Sequence, residues 1–356
     1  MSRDEPLFII LAEGNFGVEA AKTASSAVRY LPGRVGAVID SVQAGLSVQQ
    51  VLGFGGEIPV VGSLEEALAR APEADALLIG IAPQGGALPE EWRIVIRAAV
   101  EAGLDVWSGL HTFLSDDPEL AEHARRAGVR LRDLRRPPRD LPIGTGKAAE
   151  STAFRVLTVG TDCNVGKMTA ALEVRRELRA RGLRASFAGT GQTGILIEGR
   201  GIAVDAVVSD FVAGAAEQLT LDAAEGADVV LVEGQGSLIH PGYSGVTLGL
   251  IHGCMPQALL LSSMPNRKTI YGGMYDWVEI PPLDEVVALY EEAARWSQPP
   301  FESRVVGIAC ATWDLPEAEA RREVARAHEL TGLPATDPIR FGAGELADAI
   351  LQAMGG

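Results

Sequence analysis

The chain is poor in cysteine. Cys163, Cys254 and Cys310 form no CxxC pair and leave an odd one over, which excludes a disulfide framework and a cysteine zinc site and points to a reducing compartment. Long hydrophobic runs are also missing, since no stretch reaches the roughly 18 uncharged apolar residues that a membrane span needs. Near the N-terminus, six apolar residues precede Glu13, too few for a signal peptide. Positive charge is in deficit: 31 Lys and Arg against 47 Asp and Glu leave a net charge of −16. Such a chain repels phosphate backbones and anionic lipid, so nucleic acid and membrane surfaces are excluded as partners. Small molecules remain, in a cytoplasmic protein for which a homo-oligomer is the expected assembly. There is no internal repeat and no low-complexity tract. Nor does GxGxxG occur in the glycine-bearing turn at residues 11–17 (LAEGNFG), so a nicotinamide cofactor has only weak support.

What is present is ordinary globular composition, 47% hydrophobic and 22% charged over 356 residues. At about 150 residues per domain, that length suggests two domains. Short apolar runs at 7–12, 35–39, 76–81, 105–108 and 129–131 alternate with helical patterns at 18–30, 64–70, 90–102 and 118–127. Buried runs separated by helices indicate βαβ units and a parallel sheet. Residues 135–147 (RRPPRDLPIGTGK) break that rhythm with three prolines and three arginines. The expected division is therefore a first domain over 1–134, a linker over 135–153 and a second domain over 154–356. In the second domain, strands are expected at 155–159, 185–188, 229–232, 258–261 and 305–309. Helices are expected at 167–181, 212–224, 283–296 and 316–330. Both domains are thus read as α/β.

The sharpest motif is VLTVGTDCNVGKMTAALEV, residues 156–174. An apolar strand runs into a loop with Gly160 and Gly166, and Lys167 opens an amphipathic helix. Backbone N–H groups, the helix N-terminus and a lysine are what a phosphate cradle requires. Gly160, Thr161, Asp162, Cys163, Asn164, Val165, Gly166, Lys167, Met168 and Thr169 are accordingly the expected cofactor-binding residues, with Asp162 as an acidic candidate for catalysis. The loop departs from GxxxxGK[ST] in having Thr161 at the first-glycine position and Met168 where a hydroxyl would ligate Mg²⁺. Bound ATP with Mg²⁺ is thereby less favoured than the pyrophosphate of a carrier such as coenzyme A. No metal site is expected. The GTDxxxGK form resembles the loop of dethiobiotin synthetase.

Further along, four apolar residues lead to Glu233 and a glycine-rich turn, EGQGSL. An acidic residue at that strand end lies beside the cradle and can take a proton or hold water, or else it merely caps structure. His240 reads equally as a packed loop residue or a base. Gln192 and Thr193 are expected in a loop between glycines, available to substrate. Asp205, Asp210 and Glu217 are acidic residues among apolar neighbours, Asp210 being either a base or the N-cap of a helix from Phe211. Arg200, Arg267 and Lys268 are the cations nearest these loops. In the first domain, GIAPQGGALPEEW (80–92) and SGLHTFLSDD (108–117) are glycine-bearing loops after strands.

GTDCNVGKMT, TGQTGI, DAVVSDFVAGAAE, EGQGSL and HPGYSGVTLGLIHG, in that order and with GIAPQGG and SGLHTFL upstream, resemble the DgcN family over residues 7–345. The resemblance implies a Rossmann-like N-terminal domain, a P-loop C-terminal domain and D-glutamate N-acetyltransferase activity with acetyl-CoA as donor. On that reading the loop and Lys167 hold the coenzyme phosphates. Glu233 or Asp210 is the base, N–H groups of Gln235, Gly236 and Ser237 meet the oxyanion, and Arg200, Arg267 or Lys268 meets the substrate carboxylates. Direct transfer needs no acetyl-Cys163. The alternatives are an ATP-dependent ligase or kinase of a small carboxylate and a nucleotide-binding protein without turnover.

Overall fold

Apolar runs buried on both faces pair side by side in two separate sheets, each of six parallel strands. The computed structural model describes residues 5–18, 20–81, 88–295 and 302–355. Within them the chain divides into two units: residues up to 137 together with 195–206, and residues 138–194 together with 207 onward.

In the first unit the strands are β1 (Phe8–Leu11), β2 (Val35–Ile39), β3 (Val60–Val61), β4 (Ala76–Ile79), β5 (Asp105–Ser108) and β6 (Leu131–Asp133). Their order is β3-β2-β1-β4-β5-β6, that of the doubly wound Rossmann sheet. The central strand β1 is wholly buried and runs in register with β4, Phe8 opposite Ala76 and Leu11 opposite Ile79. Local chemistry sets the element ends. Helix Pro118–Ala127 starts where the Asp117 carboxylate accepts the N–H groups of Glu119 and Leu120, with proline at its first position, and stops at Gly128 in the left-handed conformation. Val129 then donates to the Ala124 carbonyl as part of that cap, so β6 begins two residues later than the apolar pattern suggests. Residues 195–206, expected in the second domain, contribute to the first core through Leu196 and pair Asp205 with Arg135. Within GIAPQGGALPEEW, residues 82–87 lie outside the described residues, as does Trp296 of the expected helix at 283–296.

The second unit contains β7 (Phe154–Gly160), β8 (Ala185–Ala188), β9 (Val229–Val232), β10 (Ala258–Ser263), β11 (Arg304–Cys310) and β12 (Ala335–Thr336). They are ordered β12-β11-β10-β7-β9-β8, so β7 is flanked by β10 and β9. All pairs are parallel, and their carboxyl ends share one edge. Helix Ser244–Cys254 was not expected, because its sequence repeats glycine at 245, 249 and 253. Gly249 and Gly253 form a seam against helix Ser209–Ala224: a Cβ on Gly253 would lie 2.2 Å from the Ala213 carbonyl oxygen. The segment 138–153 is tied to the same helix. Buried Glu217 accepts from the Thr145 hydroxyl at 2.8 Å and from the Lys147 N–H at 2.7 Å. Burial alone would raise the pKa of that carboxyl, but the Thr145 hydroxyl and the N–H groups of residues 145–147 bring it below its ordinary value. No helix among the described residues is long and apolar enough to cross a membrane.

Candidate functional site

The loop after β7 leaves the sheet at Gly160, and its first N–H, that of Thr161, bonds the Ser262 carbonyl of β10 at 3.0 Å. Asn164 and Gly166 both take positive φ, 53° and 93°, which curls the chain before helix Lys167–Ala180. A residue with a Cβ is strained in that conformation, which gives Gly166 its place as the helix N-cap. That helix has neither a side-chain cap nor an acidic residue in its first turn, so the N–H groups there have no competing internal carboxylate. The buried Lys167 side chain turns back over the loop and its ammonium donates to the Asp162 carbonyl at 2.6 Å. Met168, also buried, places a thioether where Mg²⁺ chemistry needs a hydroxyl.

A second layer holds the loop in shape. The fully buried Asp162 carboxylate accepts from Arg267 Nη1 at 3.0 Å, the Tyr271 N–H at 2.8 Å and the Cys163 N–H at 2.6 Å. Arg267 also donates to the Cys163 carbonyl at 2.7 Å and lies over the Tyr271 ring. Tyr290, from helix Leu283–Arg295, is buried and knots two loops together. Its hydroxyl donates to the Gly160 carbonyl at 2.7 Å and accepts the Leu238 N–H at 3.1 Å. Burial raises the pKa of that phenol, which therefore stays protonated as a donor.

Beside the loop, Glu233 ends β9 as a buried carboxylate. Its Oε2 accepts the N–H groups of Thr190 at 2.9 Å and Gly191 at 3.2 Å, and the Thr190 hydroxyl returns a bond to the Glu233 carbonyl at 2.8 Å. Gln235 Nε2 donates to the same hydroxyl at 3.2 Å. Gln192 and Thr193 follow directly, in the first turn of helix Gln192–Glu198 and not in the loop expected for them, and Thr193 is buried. Gly236 and Ser237 are buried in the turn that Tyr290 anchors.

His240 is buried in that same region, its ring against Tyr243 and Tyr275 at centroid distances of 4.5 and 4.7 Å. Nδ1 accepts the Gly242 N–H at 3.0 Å. Among the described residues, Asp162, Cys163 and His240 bring a carboxylate oxygen, a thiol sulfur and a ring nitrogen within 4.8 Å of one another. The Asp162 oxygens in this group are already engaged by Arg267, Tyr271 and Cys163.

Not every expected site residue converges here. Asp210 is exposed in the first turn of helix Ser209–Ala224, whose N-cap is Val208, so it is not the cap of a helix from Phe211. Asp205 and Glu217 serve the ion pair and the linker anchor described above. Lys268 is exposed, its ammonium on the Pro265 carbonyl at 3.0 Å. Arg200 belongs to the first unit. Tyr290 and Tyr271 were missed: an apolar helix face and a glycine-rich loop carry no signal that their hydroxyl or backbone N–H reaches a neighbouring loop.

The chain matches two family models, a Rossmann-like domain of unknown function, DUF1611_N, over residues 41–137 and a P-loop domain of unknown function, DUF1611_C, over residues 142–347. It is 44% identical to a protein named D-glutamate N-acetyltransferase from Tritonibacter scottomollicae, over 81% of this chain and 84% of that one. A protein of the same name from a Pseudoalteromonas species is 37% identical over 76% and 79%. The crystal structure of a DUF1611 family protein from Anabaena variabilis superposes with a TM-score of 0.91 at 40% identity, covering 97% of this chain and 99% of that one. With its doubly wound first sheet and its P-loop second sheet, the chain belongs to the DUF1611 family, the group of two-domain proteins whose DgcN motifs it carries.

Proposed function

We propose that this chain is an N-acetyltransferase that moves the acetyl group of acetyl-CoA to the amino group of D-glutamate, with the loop 160–169 holding the coenzyme's phosphates. The observation that carries the reading is a positive-φ loop closed by a buried lysine, in a chain 44% identical to a relative bearing that activity's name. A diphosphate is matched by that lysine and the uncapped helix start.

Thioester aminolysis needs a neutral amine and a stabilised oxyanion. Glu233, at the carboxyl end of the strand next to β7, is the base in this reading, and N–H groups of residues 235–237 serve the oxyanion. Arg267, committed to Asp162 and the Cys163 carbonyl, keeps the loop closed instead of seizing substrate. Lys268, exposed beside the loop's anchor Arg267, is left for a carboxylate of the acceptor. The buried Met168 speaks against the ATP-dependent ligase reading, since no hydroxyl stands at the Mg²⁺ position.

The test is thiol release from acetyl-CoA with a panel of D- and L-amino acids, with and without ATP. Release with D-glutamate, independent of ATP, is expected. Lys167→Ala should weaken coenzyme A binding roughly tenfold or more. ADP formation, or an unchanged dissociation constant in that variant, overturns the assignment.

A further inference from the structure

In the sequence His240 reads equally as a packed residue or a base. Its Nδ1 accepts the Gly242 N–H at 3.0 Å. A neutral imidazole whose Nδ1 accepts must carry its proton on Nε2, so that nitrogen can donate and cannot receive. The ring is buried against Tyr243 and Tyr275. A ring nitrogen lies within 4.8 Å of both the Cys163 sulfur and an Asp162 oxygen, two residues of the loop.

We infer that His240 is a further ligand-binding residue of the loop, a neutral imidazole whose Nε2–H donates to a diphosphate oxygen of the bound coenzyme. The inference rests on the proposed role of the loop as the coenzyme's phosphate cradle. The groups that bear on the ring's charge are Asp162, Lys167 and Cys163 from the loop, the phenols of Tyr243 and Tyr275, and Arg267 behind Asp162. Burial lowers the pKa of His240 from its ordinary value and the Lys167 ammonium acts the same way, against the Asp162 carboxylate and the residue's own backbone. The imidazolium is thus disfavoured, and Gly242 offers it no acceptor. A neutral donor adds a directed hydrogen bond without adding a charge that Asp162 would compete for. With Nδ1 engaged and Nε2 protonated, the ring has no nitrogen left to take a proton from Cys163.

Two measurements decide this. In the full chain labelled with ¹⁵N-histidine, with the signal assigned by its loss in His240→Gln, Nε2 should be protonated and Nδ1 bare between about pH 6 and pH 8. A proton on Nδ1, or on both nitrogens at pH 7, overturns the inference whatever the enzyme's reaction. The second is binding of dephospho-coenzyme A, whose diphosphate diester keeps its charge over that range. Wild-type affinity should be flat with pH. His240→Ala should lose roughly tenfold and His240→Gln, which retains an N–H at the Nε2 position, should recover most of it. Affinity that rises as pH falls points to an imidazolium and overturns the inference, as does equal affinity in His240→Ala. Absence of dephospho-coenzyme A binding by the wild type removes the inference together with the phosphate role of the loop, while thiol release from acetyl-CoA judges the transferase reading separately.

Discussion

Glu233 joins an observed structural role to its proposed role as base. Its Oε2 clasps the N–H groups of Thr190 and Gly191, which fixes the turn after β8 against the end of β9. Glutamine keeps an oxygen for those two donors and loses the basicity. Glu233→Gln should therefore fold and bind coenzyme A as before while turnover falls roughly 10²- to 10⁴-fold. A parallel loss of coenzyme affinity would mark a purely structural clasp, and normal turnover would remove Glu233 as base. At this scale the sequence was legible where chemistry is local. Lys167 follows its glycine, Glu233 ends an apolar run, and Arg267 stands among the cations near these loops, although its partner, Asp162, lies 105 positions away. His240 and Tyr290 were not legible in the same way, since their roles are set by which backbone N–H or carbonyl a distant turn presents to them.

Elements were legible in proportion to their length and periodicity. Strands such as β7 and β9 and the helix opened by Lys167 announce themselves as apolar runs and an amphipathic pattern. The edge strands β3 and β12, of two residues each, carry no period to detect. Helix Ser244–Cys254 was hidden because glycine reads as a breaker, whereas here Gly249 and Gly253 let two backbones approach. The segment 138–153 reads as a linker and is in fact fastened to helix Ser209–Ala224 by Glu217. Because that carboxyl's folded pKa lies below its unfolded value, its contribution to stability is present above about pH 4.5 and is lost as pH falls through the lower folded value. Glu217→Gln should lower the melting temperature at pH 7, and the gap to wild type should close on acidification below pH 4.5. A gap independent of pH would sink the charge assignment.

For the whole molecule, length gave the right scale, two α/β units in one acidic chain, and the Rossmann order β3-β2-β1-β4-β5-β6 is one of those that parallel pairing with covered faces permits. What it did not reveal is that the first unit is discontinuous. GILIEGRGIAVDA reads as glycine-rich turns after a strand, and membership of a distant core has no local signature. Leu196, 1% exposed within the first core, makes that membership testable. Leu196→Ala should cost about 2–5 kcal/mol. Hydrogen exchange should locate the loss in β1, β4 and their neighbours. Unaltered protection in that sheet would contradict the assignment.

Heredity inherits that discontinuity. A genetic crossover near residue 150 between two relatives would deliver a first unit from one parent and its residues 195–206 from the other, so even a junction chosen in the linker yields a mosaic Rossmann core. Chimeras that respect the molecule need two further splice points, one on either side of that borrowed stretch.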